Sequence, residues 1–167
     1  MLTGYKGLSL SDNPFVFFAR CGTNKIAHVS IHHPFAKEEL NVKKVLENSM
    51  WDLATCLNGK PNVVPVAFKG VSESGELLIG DVFLETTLKN VLENNGEIAI
   101  SAYDASSLEG YQIQGKAKYV TEGEVADMFK EQVSAMFNGA ATAKGALIVS
   151  VDRVIVTMPG ADNKKVL

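Results

Sequence analysis

The chain has 167 residues, 46% of them hydrophobic and 21% charged, with a formal net charge of −3. That length supports one domain with a single substantial core, and the composition argues against disorder of the chain as a whole. The acidic balance gives no electrostatic case for nucleic acid or an anionic membrane, although helix-end amides can still hold a small anion.

Residues 1–36 read as an N-terminal extension of unknown role. It carries His28, His32 and His33 and a Phe-rich patch of Phe15, Phe17 and Phe18, with strands conceivable at 15–21 and 26–32. His28 and His32 are spaced for a metal only on a helix, whereas Ile26, Val29 and Ile31 suggest a strand. The three therefore read as surface or dimer-contact histidines, and no metal site is assigned. The apolar run 15–19 is too short for a membrane span or a signal-peptide core. Cys21 and Cys56 read as free thiols in a reducing compartment, with a single disulfide as the alternative. Together these features point to the cytoplasm.

From Lys37 the pattern sharpens. Residues 37–48 read as a helix, with Val42, Val45, Leu46 and Leu40 in its apolar stripe. Residues 51–57 read as a strand, followed by Asn58-Gly59. Both turn residues tolerate the positive φ of a type I′ turn, so the pair predicts a hairpin into a second strand over 61–69. Pro65 within that strand argues for an edge, a bulge or a ligand-facing backbone. A turn at 70–75 leads to a third strand, 76–82, and then to a short helix over 86–94. Leu88, Val91 and Leu92 share one face of that helix, and Asn95-Gly96 closes it.

Strands at 97–103 and 110–120 form another antiparallel pair. Tyr103 and Tyr111 on them read as barrel core more readily than as pocket lining. Thr121-Glu122-Gly123-Glu124 has the capping-box pattern. It precedes a helix whose apolar face is Val125, Met128, Phe129, Val133, Met136 and Phe137. A long strand over 145–158 comes last. The expected architecture is mainly β, a six-stranded antiparallel barrel with peripheral helices, spanning 37–160 with a tail at 161–167.

Nucleotide-binding glycine loops, a nucleophile elbow and a His-Glu-x-x-His pattern are all absent. The more informative segment is Gly80-Asp81-Val82-Phe83-Leu84-Glu85-Thr86-Thr87-Leu88-Lys89-Asn90, where a strand hands over to a short helix. Free amides at a helix start and the macrodipole favour an anion. The threonine hydroxyls and Lys89 would add to such a phosphate cradle. The plainer alternative is that Thr86 merely caps the helix.

Four stretches then stand in order: Asn58-Gly59-Lys60-Pro61-Asn62-Val63-Val64-Pro65-Val66-Ala67-Phe68; Asp81 through Asn90; Gly110-Tyr111-Gln112-Ile113-Gln114-Gly115-Lys116-Ala117; and Met158-Pro159-Gly160. By these the chain resembles the pyridoxamine 5'-phosphate oxidase-like family of FMN-binding split β-barrels. The resemblance implies a homodimer with FMN in a groove between subunits. It implies that the backbone of Val64, Pro65, Val66 and Ala67 runs along the isoalloxazine ring. Asp81 and Val82 would lie near the ribityl chain, and Thr86, Thr87 and Asn90 at the phosphate. Lys69 stands where true oxidases of the family place a substrate-binding lysine.

Two departures from the family pattern matter. Many relatives carry a basic residue at the position of Thr86. The chain also ends at Leu167, without the arginine-rich segment that completes the substrate site of genuine pyridoxamine 5'-phosphate oxidases. The expectation is therefore an FMN-dependent oxidoreductase or flavin electron carrier, rather than a true pyridoxamine 5'-phosphate oxidase. The alternatives are a non-catalytic module holding haem or F420 in the same groove, and a dimerisation scaffold whose function lies in residues 1–36.

Overall fold

A computed structural model describes residues 36–167. The histidines, Cys21 and the strands expected before Ala36 lie outside the described residues. The elements run α1 (Ala36–Asn48), β1 (Trp51–Leu57), β2 (Lys60–Val66), β3 (Lys69–Val71), β4 (Leu77–Asp81), α2 (Glu85–Glu93), β5 (Glu97–Asp104), β6 (Glu109–Val120), α3 (Glu124–Met136) and β7 (Gly145–Val156).

Among the described residues seven strands join one sheet in the order β2-β1-β5-β6-β7-β4-β3. Every neighbouring pair is antiparallel. The two edge strands, β2 and β3, are separated in the chain by only Ala67 and Phe68. A sheet whose opposite edges are joined by so short a link must curl until those edges approach. Because β2 and β3 do not pair with each other, the resulting barrel stays split along that seam. The single strand expected over 61–69 is thus two, which makes seven strands rather than six. The break falls where the Phe68 carbonyl accepts the Gly80 N–H at 2.8 Å and the chain changes partner from β1 to β4.

Asn58 and Gly59 adopt φ of 51° and 74°, the left-handed pair a type I′ hairpin needs. Alternation along the strands then sends Trp51, Leu53, Ile100, Ile113, Leu147 and Val149 into the barrel, all fully buried. Helix α1 adds Val45 and Leu46 to that core, and α2 adds Val91. Helix α3 instead covers the outer side of the sheet, where Phe129 and Val133 pack with Leu78 and Ala146. Gly80 permits this approach, since a Cβ there would lie 2.8 Å from Cδ1 of Phe129.

Several expected core positions are on the surface instead. Leu40, Leu92 and Tyr103 are exposed, as are Met136 and Phe137 in the last turn of α3 and just beyond it. Helical spacing cannot say how wide a face the neighbouring layer covers, and α3 outruns its sheet. The capping box does not form either. The N-cap of α3 is Gly123 at φ 94°, with no side-chain cap bond, so the helix begins too late for Thr121 to serve it. Residues 161–167 return along β7, with a bridge from Ile155 to Val166 and the Leu167 N–H donating to the Val154 carbonyl. No helix among the described residues is long and apolar enough to cross a membrane.

Candidate functional site

The Asn-Gly turn fixes the hairpin register so that Thr55 of β1 faces Asn62 of β2. Helix α2 brings Thr87 and Asn90, three residues apart and so on one face, against this end of the hairpin. The Asn62 amide donates to Oγ1 of Thr87 at 2.9 Å and to Oγ1 of Thr55 at 3.3 Å. The Asn90 amide donates to the same Thr55 oxygen at 2.9 Å. Thr55, Thr87 and Asn90 are buried, so these are low-dielectric bonds whose loss would strand a polar group. Thr86 and Lys89 lie on the exposed side of the helix.

The turn into α2 is held by Asp81, itself buried. Its Oδ1 accepts the Leu84 N–H at 3.0 Å and its Oδ2 accepts the Tyr119 hydroxyl at 2.9 Å. Burial, with the adjacent Asp81 carboxylate, pushes the Tyr119 hydroxyl up to about 12. The N-cap of α2 is Leu84 and makes no side-chain cap bond, so Thr86 is not the cap. The first-turn amides beyond Asp81's reach are therefore available to an anion, with the exposed hydroxyl of Thr86 beside them and the carboxylate of Glu85 opposing.

Along β2 the side chains alternate, with Val64 and Val66 inward and Pro65 outward, and Ala67 exposed just beyond the strand. β2 is an edge strand paired only with β1, the setting in which a strand proline is tolerated. Val82 is buried in the α3 cluster. Thr87 and Asn90 are thus brought into contact with the hairpin that carries β2. Asp81 is committed to the turn and to Tyr119.

Lys69 is buried inside the barrel, not presented to solvent. Its Nζ donates to the Leu46 carbonyl at 2.6 Å, and more weakly to that of Glu47, satisfying the C-terminal end of α1. The same Leu46 oxygen accepts the Trp51 indole N–H at 2.8 Å, and the ammonium lies 4.8 Å from a Trp51 ring centroid. Desolvation lowers this lysine to about 8, partly offset by Glu47. Its ammonium is occupied by structure rather than held out to a substrate.

Residue patterns had not singled out Thr55, Asn62 or Tyr119. For Thr55 and Asn62 the signal was present: counting outward from Asn58-Gly59 pairs them directly. Tyr119 had none, because its partner Asp81 lies 38 positions away.

The comparisons with known proteins agree with this architecture. Residues 38–159 match the pyridoxamine 5'-phosphate oxidase family. An uncharacterized protein of Methanocaldococcus jannaschii is 33% identical over 127 residues, covering 74% of this chain and 83% of that one. The crystal structure of HupZ from Group A Streptococcus superposes with a TM-score of 0.61 at 25% identity, over 74% of this chain and 96% of that one. An FMN-binding protein from Syntrophomonas wolfei shares the fold, with a TM-score of 0.59 at 14% identity over 75% of this chain and 95% of that one. By its matched span and its curled, split sheet, the chain belongs to the pyridoxamine 5'-phosphate oxidase family.

Proposed function

We propose that this chain is an FMN-binding homodimer that works as a flavin-dependent oxidoreductase or flavin electron carrier, and not as a pyridoxamine 5'-phosphate oxidase proper. The observation that carries the reading is the bond from Asn62 to Thr87. It ties the edge strand bearing Val64, Pro65 and Val66, with Ala67 just beyond it, to the helix whose uncapped start follows Asp81 and Val82. A planar ring along the strand and a phosphate at the helix would use both at once. The backbone amides of the first turn of α2, with Thr86 and Thr87, would hold the phosphate, and Asn90 would keep Thr55 and the helix in register.

When bound, flavin supplies the redox chemistry, and the protein supplies orientation and polarity around the ring. The serine hydroxyls that bond to carboxylates, Ser74 to Glu76 and Ser106 and Ser107 to Asp104, sit in exposed turns away from the proposed groove, which leaves the redox chemistry there to the cofactor. The buried commitment of Lys69 to α1 supports setting aside the substrate role that lysine has in true oxidases.

The proposed dimer face is the outer side of β2, β1, β5 and β6. It carries Val63, Pro65, Ala54, Ala99, Ser101, Gln112 and Gln114, which are exposed or half-buried and uncharged. Asp52 lies among them, and Glu97 and Lys116, an ion pair at 3.3 Å, follow on the same face of β5 and β6. The test is the visible spectrum of the protein as isolated, followed by titration with reduced nicotinamide cofactors. A flavin spectrum that bleaches on reduction supports the reading. A haem or deazaflavin spectrum, or an empty protein that takes up no FMN, contradicts it.

A further inference from the structure

A pocket of about 580 Å³ opens on a different part of the barrel from the proposed flavin site. Its walls are apolar, with Val42 and Leu46 of α1, Leu77, Val154 and the terminal Leu167 among them. Lys43, Ser72 and Glu73 stand at its lip. Around it the apolar surface continues: Val151 in its wall is 36% exposed, and Leu40, one turn before Lys43 on α1, is 66% exposed. An apolar pocket that opens onto further exposed apolar side chains is a surface built to be covered.

We propose that the occupant is the chain's own N-terminal segment, seated through Phe15, Phe17 and Phe18. The segment leads directly into α1, whose Val42, Lys43 and Leu46 form one wall of the pocket. From Phe18 to Ala36 the chain can span roughly 60 Å, while the run down α1 to Leu46 is only about 15 Å, so reach is ample. Residues 15–19 are the most apolar stretch before α1, and aromatic rings in water gain most from such a cover.

The segment 1–35 holds Lys6, Arg20 and Lys25 against Asp12, a net of +2, which leaves −5 for residues 36–167 out of the total of −3. Arg20 follows the phenylalanines by two residues, and Glu73 is exposed at the lip. A basic, aromatic segment therefore meets an apolar pocket on an acidic body, with Glu73 at the lip within the reach of a segment that carries Arg20, and Lys43 beside it on α1. The seating also explains why Leu40 occupies an α1 position that gains nothing from solvent.

The test uses the full chain. Cys56 is exposed on β1 and is replaced by serine, leaving Cys21, three residues after Phe18, as the one thiol for a nitroxide spin label. Amide signals of Val71, Ser72, Glu73 and Val151 should lose intensity in the paramagnetic state and recover on reduction of the label. Phe17→Ser with Phe18→Ser should abolish that loss and raise binding of an apolar fluorescent dye several-fold. Unchanged intensities at these amides would overturn the proposal. So would loss seen only when labelled chains without isotope are mixed with unlabelled isotopic chains, which would put a partner's segment in the pocket.

Discussion

The side-chain amide of Asn62 on the hairpin donates to the hydroxyl of Thr87 on α2 across 2.9 Å, joining segments 25 residues apart. Thr55 completes the link by accepting from both Asn62 and Asn90. Thr55→Val should leave the Asn90 amide without its acceptor and destabilise the fold by about 1–3 kcal/mol. Thr55→Ser, which keeps the oxygen, should recover most of the loss. Urea unfolding of the three proteins checks this.

At the start of α2, Thr86 is exposed and outside the polar cluster, so it can be changed without disturbing the core. Thr86→Lys should tighten FMN binding through a charge-assisted bond of roughly 1.5–3 kcal/mol, about ten- to a hundredfold. Riboflavin, which lacks the phosphate, should bind as before. Thr87→Val is a different experiment, because it also removes the acceptor of Asn62 and should lower stability along with affinity. Fluorescence titration with both flavins separates the two cases.

These residues show how far the sequence could be read. Asn58-Gly59 fixed a turn, and a turn fixes a register, so the hairpin and the strand pairs that follow were legible. The break of one strand at Ala67 and Phe68 was not. It depends on the Phe68 carbonyl meeting Gly80, a contact set only when the sheet curls. Helix α2 misled in a similar way. Of its expected face, Val91 is buried and Leu88 packs against the core, but Leu92 is exposed, and burial extends instead to Thr87 and Asn90 because their partners Thr55 and Asn62 lie on another element. A buried polar cluster is invisible to periodicity, which counts apolar residues. The burial of Lys69 escaped for the same reason, since the carbonyls it serves belong to α1.

The packing of α3 depends on the missing side chain of Gly80. Gly80→Ala would press a Cβ against the Phe129 ring and the Cβ of Phe68, costing about 1–3 kcal/mol by overpacking. Adding Phe129→Leu to Gly80→Ala should remove the clash and recover part of that cost. Thermal unfolding of the single and double variants gives the comparison.

Lys69 gives a pH signature. It sits near 8 in the folded chain against 10.5 for a free lysine. Below about pH 8 both states are protonated and the cost of burying the charge is fully present. Between the two values the unfolded chain binds the extra proton, so rising pH stabilises the fold. The stability of the native protein relative to Lys69→Met should therefore climb from pH 8 towards 10.5. Parallel stability curves for the two proteins would contradict the buried, desolvated lysine.

The outer face of β2, β1, β5 and β6, uncharged around Ala54, Ala99 and Gln114, should hold the dimer together. Ala99→Arg places a charge at its middle, opposite Ala54 and Gln114. Light scattering should give twice the chain mass for the native protein and the single chain mass for the variant. The variant should also lose FMN while keeping its secondary structure.

Whether the phosphate is held at the start of α2 is decided by an equilibrium titration of the native chain with FMN and, separately, with riboflavin, followed by flavin fluorescence. One FMN should bind per chain, at least about tenfold more tightly than riboflavin, as a phosphate held by even one charge-assisted bond requires. Equal affinity for the two flavins, or no uptake of either, would contradict it.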